Sequence, residues 1–299
     1  MNNRTFALIA AFIATSIYGI NHTVGKELMP HYIGPYGLIL LRVLGASVLF
    51  WIIGFWGPKE RIDKKDWKRI FLCSLVGMSI NMLAFFKGLS LSTPINSSII
   101  ITLAPIMVFV MSVIFIKEKI TTLKYIGVGI GFLGALSLIL FNNEVSYNAP
   151  NISLGNILFV INCIFYGIYL IIVKPLTKKY HSFTIMKWLF LLAVFINLPV
   201  TIGEFTQVKW TSLPFDAIWR MIFVVVGTTF LTYLLNVFAL RELKASTIGV
   251  FMYVQPLIGI LYAVIVGNYS LNFLKVTAAI LIFTGVYLVS KKNTTNRAL

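Results

Sequence analysis

The chain has 299 residues, 59% of them hydrophobic and 11% charged, with a mean hydropathy of +0.90 and a formal net charge of +16. Soluble domains carry about 25% charged residues; a soluble fold of this length has no means of hiding so much apolar surface, so composition points to a membrane as the solvent. The positive charge does not point to nucleic acid, because the basic residues lie between apolar runs and form no basic domain.

Ten apolar segments follow one another, at 6–25, 33–56, 67–88, 94–116, 122–141, 153–174, 183–203, 215–240, 246–266 and 273–290. Each is near the ~20 residues that a spanning helix needs. They are too long and too continuously apolar for barrel strands, which alternate. The opening MNNRTF runs into the first segment with no small-residue cleavage site followed by polar sequence. It reads as a retained first span. Cys73 and Cys163 sit inside apolar segments as small buried hydrophobes, and no metal cluster is spelled out. The most charged connection, Gly57 to Arg69, ends in Asp-Trp-Lys-Arg and is expected along the membrane interface.

With ten spans and the N-terminus inside, 19 of the 25 basic residues fall in inside segments, five fall outside and Arg42 lies within span 2. That bias predicts both termini on the cytoplasmic side of the cell's inner membrane.

The stretch 94–119 has small polar residues first, a central Pro105 and a closing Lys-Glu-Lys. A second stretch, 245–268, repeats the small residues and the central proline, Pro256. An offset of 151 also places Lys124 on Lys275 and Gly134 on Gly285, and an offset of 148 places Tyr18-Gly19 on Tyr166-Gly167. Two copies of five spans enter the membrane from opposite sides. The predicted fold is therefore an all-α integral membrane protein, ten transmembrane helices as two inverted five-helix repeats, with domains 1–147 and 148–299.

These features resemble the drug/metabolite transporter superfamily in its ten-span EamA-type form. The resemblance rests on Tyr-Gly near the middle of spans 1 and 6 and on Pro35 with Arg42 in PYGLILLR. It rests also on the small-rich entry to span 4, its Pro105, the exit Lys117-Glu118-Lys119, and Gly131-Phe-Leu-Gly134. The second half departs from it, with Tyr269 after Asn268 where the family has an exit glutamate. The resemblance implies a secondary transporter of small organic metabolites such as amino acids, commonly an exporter. It also implies a pocket between the halves lined by spans 1, 3, 4, 6, 8 and 9.

Polar groups within spans are the candidate lining, because each needs a partner or a wet cavity. In span 6, Asn162, Tyr166 and Tyr169 share a helix face; in span 8, Thr229, Thr232, Tyr233 and Asn236 do the same. Span 3 offers Ser74, Met78, Asn81 and Phe85, span 4 offers Ser98 and Thr102, and span 1 offers Ser16, Asn21 and His22. The rival explanation for each is a hydrogen bond between helices or to the residue's own backbone. Lys87 is a candidate for an anionic substrate group, against snorkelling to the interface. Arg42, deeper, reads as a brace more than a substrate contact. Pro105 and Pro256 are candidate hinges, since each frees a carbonyl four residues earlier. Gly127, Gly131 and Ala135 make a close-packing face in span 5, with a homodimer contact there left open.

Transport of phosphorylated solutes or nucleotide sugars is the second functional class, but it calls for several cations in the cavity. A non-transporting membrane scaffold is the third. An enzyme is not expected: the histidines His22, His31 and His181 are scattered and no aspartate lies deep in a span. Neither a cofactor nor a metal is called for. Coupling is expected to be exchange, or weak proton coupling through His22.

Overall fold

A computed structural model describes residues 3–117, 121–141, 148–232, 234–236, 239, 245–266 and 269–290. Regular structure among them is helical. Ten apolar helices follow in order: α1 Asn3–Leu28, α2 Pro35–Gly54, α3 Lys64–Leu91, α4 Pro94–Phe115, α5 Thr122–Leu140, α6 Ile152–Thr177, α7 Ser182–Thr206, α8 Phe215–Asn236, α9 Ala245–Ile265 and α10 Phe273–Ser290. Nine of these, all but α9, are long and apolar enough over their described residues to cross a membrane. Glu118, Lys119, Tyr233 and Asn268, singled out above, lie outside the described residues.

The helix starts are written in the sequence. Pro35 and Pro94 occupy first-turn positions, where a missing N–H is harmless. The Thr93 hydroxyl accepts from the Asn96 N–H at 3.2 Å, and Asn151 Oδ1 accepts from the Leu154 N–H at 3.0 Å. At the exit of α4, Lys117 adopts a left-handed conformation with φ 58°.

Three helices are irregular. In α3, residues Ser74–Ile80 wind with the wider i→i+5 hydrogen bonding of a π-helix, and in α8 residues Phe223–Leu231 do so. In α4 the α-helical ladder is interrupted at Thr102 and Leu103, whose N–H groups bond back three residues to Ile99 and Ile100. Pro105 follows directly, its absent N–H needing no acceptor. Pro256, by contrast, lies inside the continuous α9.

Helices of the first half of the chain pack on helices of the second. The most extensive contacts are α5 with α10, α3 with α6, and α2 with α7, followed by α4 with α6 and α1 with α9. The glycines explain the closest of these. A Cβ on Gly127 would lie 2.8 Å from the Gly285 carbonyl, and one on Gly134 would lie 2.9 Å from the Ala278 carbonyl. Hence α5 and α10 run antiparallel, backbone against backbone, and the small-residue face of α5 is occupied by α10 of the same chain.

The α2–α7 pair is also antiparallel and is tied at both ends. Glu204 Oε2, at the end of α7, accepts from the N–H groups of Tyr36 and Gly37 at 2.6 and 3.0 Å. Glu60 Oε2, just beyond α2, accepts from the His181 N–H at the start of α7 at 2.8 Å. Each carboxylate meets the positive end of the partner helix's dipole. Glu204→Ala is expected to destabilise the fold by about 1–2 kcal/mol, read as a lower melting temperature in detergent. Glu204→Gln, which keeps an acceptor, should recover most of the loss.

Candidate functional site

A cavity of ≈ 430 Å³ lies in the centre of the bundle, within the size range of small-molecule sites. It is lined from both halves of the chain. From α1 come Tyr18, Asn21 and His22; from α3, Met78, Asn81, Phe85 and Phe86; from α4, Ser98, Thr102 and Pro105. From α6 come Asn162, Tyr166 and Tyr169, from α8 Asn236, and from α9 Gln255 and Pro256. Arg42 and Phe50 of α2, Ser182, Phe183 and Met186 of α7, and Val286 of α10 complete it. The wall thus includes α2, α7 and α10, beyond the six spans expected.

Ser182 and Phe183 bring the cavity to the end of the bundle that carries the α6–α7 connection. The opposite end is filled by buried polar contacts. Lys26, 2% exposed, donates to the carbonyls of Leu89 and Ser90 at 2.8 and 2.9 Å, where the C-terminus of α3 leaves carbonyls unpaired. Asn156 Oδ1 accepts from Ser92 Oγ at 2.7 Å and Asn96 Nδ2 at 3.3 Å, while its amide donates to the Leu138 carbonyl at 2.9 Å.

Within the cavity, Asn81 and Asn162 exchange hydrogen bonds: each Nδ2 donates to the other's backbone carbonyl at 2.9 Å. Asn81 is the first residue after the π-helical stretch of α3. That stretch shifts the helical register, so Ser74 does not share the cavity face of Met78, Asn81 and Phe85; its hydroxyl donates to the Leu189 carbonyl of α7 at 2.8 Å. His22 Nδ1 lies 2.6 Å from Ser97 Oγ, and Ser97 Oγ donates to the Pro94 carbonyl at 2.9 Å. Ser97 has one proton, so Nδ1 of His22 is the donor to it and Nε2 is left as an acceptor. The ring stands edge-on to Phe85, centroids 5.4 Å apart. The Thr102 hydroxyl bonds the Ile99 carbonyl of its own helix.

Arg42, 8% exposed, donates from Nε to Thr229 Oγ1 at 2.7 Å and lies over the Phe86 ring at 5.5 Å. It is a brace, as its depth in the span implies, and it also lines the cavity. It carries the one formal charge among the described lining residues, none of which is a carboxylate. Two buried polar atoms of lining residues, Asn21 Oδ1 and Ser98 Oγ, have no hydrogen-bond partner among the described residues.

Of the candidate residues, Asn21, His22, Asn81, Phe85, Ser98, Thr102, Asn162, Tyr166, Tyr169 and Asn236 are brought together here, with Pro105 and Pro256. Lys87 is not: its ammonium lies over the Tyr36 ring at 5.5 Å. Thr232 is not part of the cavity wall: it is buried behind it, donating to the Thr228 carbonyl at 2.7 Å and hydrogen-bonded to the lining Tyr18. Ser16 bonds the Phe12 carbonyl at 2.7 Å. Gln255 and Phe50 were not singled out by sequence; the only signal for Gln255 is its place beside Pro256. Among the described residues no group of His, Cys, Asp and Glu is disposed to hold a metal ion.

A family model described as the EamA-like transporter family matches residues 5–140 and again residues 153–291. Two uncharacterized transporters of Archaeoglobus fulgidus are similar over their whole lengths. One is 27% identical over 95% of this chain and 98% of its own, the other 22% identical over 98% and 99%. A solved protein crystal structure shares the fold with a TM-score of 0.62, at 15% identity over 95% of this chain and 96% of that one.

Proposed function

We infer that this chain, which belongs to the EamA-like transporter family, is a secondary transporter that exports small organic metabolites such as amino acids by alternating access. The observation that carries this reading is a ≈ 430 Å³ cavity lined from both family-matching stretches. It offers amide, hydroxyl and aromatic groups around one guanidinium. Asn162, Tyr166 and Asn236 are the central substrate contacts in this proposal, with Asn21, His22, Asn81, Phe85, Ser98, Thr102 and Tyr169 around them. Leaving Asn21 Oδ1 and Ser98 Oγ unpaired costs about 1–3 kcal/mol each. That cost is understandable in groups that a substrate or a change of state satisfies.

Residues 1–147 and 148–299 form the two inverted repeats. The antiparallel pairing of α2 with α7 and of α5 with α10 supports this, since each pair joins equivalent spans. The excess of basic residues in alternate connections supports a cytoplasmic membrane location with both termini inside. Pro105 and Pro256 are the hinges of the motion, and the interruption of α4 before Pro105 supports the first of them. Phosphorylated solutes are disfavoured by a described lining with a single formal charge. The glycine face of α5 lends a homodimer no support, because α10 covers it.

The test is metabolite profiling of the medium of a bacterial host expressing the parent chain or its Asn162→Ala/Asn236→Ala variant. One solute class is expected to accumulate outside with the parent and to fall at least ~10-fold with the variant, the effect of losing two buried polar contacts. Equal accumulation with both would remove the cavity from the pathway. No counterflow of any accumulated solute in proteoliposomes would favour the scaffold reading.

A further inference from the structure

A second concavity lies at the end of the bundle that carries the α2–α3 and α6–α7 connections, between the start of α3 and the end of α6. It is an open depression of ≈ 690 Å³. Its rim is basic, with Lys65, Lys68 and Arg69 from α3 and Lys174 from α6; Leu72 and Ile171 are part of its apolar floor. The spacing builds it. Lys65, Lys68, Arg69 and Leu72 stand at i, i+3, i+4 and i+7, one face of a helix that changes from charged to apolar along its length. Ile171 and Lys174 do the same on α6 in the opposite direction. The four cations are exposed.

The one carboxylate of the cleft is already engaged. Asp66 Oδ2 accepts from the Tyr180 hydroxyl at 2.7 Å and from Lys179, which also pairs with Asp63. The hydrogen bonds to Asp63 and Asp66 raise the pKa of Lys179, which therefore stays charged and committed to them. The cleft keeps its positive potential.

A general preference for basic residues on one side of a membrane does not require four of them to converge over an apolar floor. Like charges one helical turn apart repel, and a shared anion relieves that repulsion. The floor continues onto the lipid-facing surface of α3, where Phe71 is 46% and Leu72 37% exposed. We propose that this cleft binds the phosphodiester headgroup of an anionic phospholipid, its acyl chains descending past Leu72 and Ile171. The apolar floor favours a lipid over free phosphate. The headgroup would then clamp α3 to α6, the same two helices that exchange the Asn81–Asn162 hydrogen bonds in the cavity.

The test uses the full chain in phosphatidylcholine vesicles carrying a trace of spin-labelled phosphatidylglycerol. Electron paramagnetic resonance reads the motionally restricted lipid against spin-labelled phosphatidylcholine. The parent is expected to prefer phosphatidylglycerol. A charge-assisted hydrogen bond to the headgroup is worth about tenfold or more, so Lys68→Gln/Lys174→Gln should lower it more than ~10-fold. Lys59→Gln/Lys178→Gln, which removes two charges at the same end outside the cleft, should retain it. If the first variant does not fold, Ile171→Trp fills the floor with every charge kept and is expected to lose the preference. Equal restriction of both lipids by the parent would overturn the proposal, as would equal losses in the two charge variants. Displacement of the lipid by millimolar glycerol phosphate would assign the cleft to a soluble phosphate and overturn it too.

Discussion

Gly19→Val is expected to abolish transport and to lower the melting temperature in detergent, while Gly129→Val leaves both unchanged. A Cβ at Gly19 would lie 2.6 Å from the Gln255 carbonyl oxygen and 3.0 Å from the Gly259 nitrogen, both backbone atoms of α9. Neither can swing aside as a side-chain tip would. At Gly129 nothing lies within 4 Å. The equivalent position, Gly167, packs on α4 with the Met107 carbonyl at 3.1 Å, so Gly167→Val should be harmful but less so than Gly19→Val. Overpacking of this kind destabilises by about 1–3 kcal/mol. At Gly19 the further loss is functional, because the displaced backbone flanks Pro256 and Gln255 of the cavity wall. Counterflow in proteoliposomes and thermal unfolding of purified variants read the two effects separately. Parent-like transport by Gly19→Val would show that α1 and α9 are not held at backbone contact.

The second large effect is expected at Arg42. Arg42→Gln should reduce transport by more than ~10-fold, since it removes a charged contact to the substrate, worth about 1.5–3 kcal/mol, in addition to the bond to Thr229. Thr229→Val, which removes the acceptor of the 2.7 Å bond but keeps the guanidinium, should cost only a few-fold. The difference is diagnostic. A residue that only braces α2 against α8 would give equal losses for Arg42→Gln and Thr229→Val, with no further loss in the double variant. A residue that also meets the substrate raises KM in Arg42→Gln while Thr229→Val leaves KM near the parent value. Arg42→Lys preserves the charge but not the planar fork and is expected to recover only part of the activity.

The span count was legible from hydropathy because the bilayer sets one length for every crossing helix. The close-packing glycine face of α5 was legible from its spacing. On α6, Asn162, Tyr166 and Tyr169 reach the cavity together because that helix is regular and 3.6-residue periodicity holds. On α3 the same rule misplaces Ser74, since π-helical winding over Ser74–Ile80 changes the period and no residue type announces it. On α8, Thr229 and Thr232 are polar and correctly spaced, yet they stand behind the wall, serving Arg42, the Thr228 carbonyl and Tyr18. Which way a buried hydroxyl turns depends on the neighbouring helix, which a single stretch of sequence does not contain. Lys87 and Arg42 exchange roles for a similar reason. Lys87 is close enough to the helix end to find the Tyr36 ring, whereas Arg42 is too deep to leave the interior.

The two carboxylate caps at opposite ends of the α2–α7 pair restrict how the bundle can rearrange. Sliding α2 along α7 by a single residue, ~1.5 Å, would pull Glu204 from Tyr36 and Gly37 and Glu60 from His181 in one stroke. A tilt of the pair as one unit stretches neither bond. The pair is therefore a strut that moves as one body without shearing, and the change of shape that the proposed alternating access calls for is left to the helices whose ladders are already irregular, α3, α4 and α8.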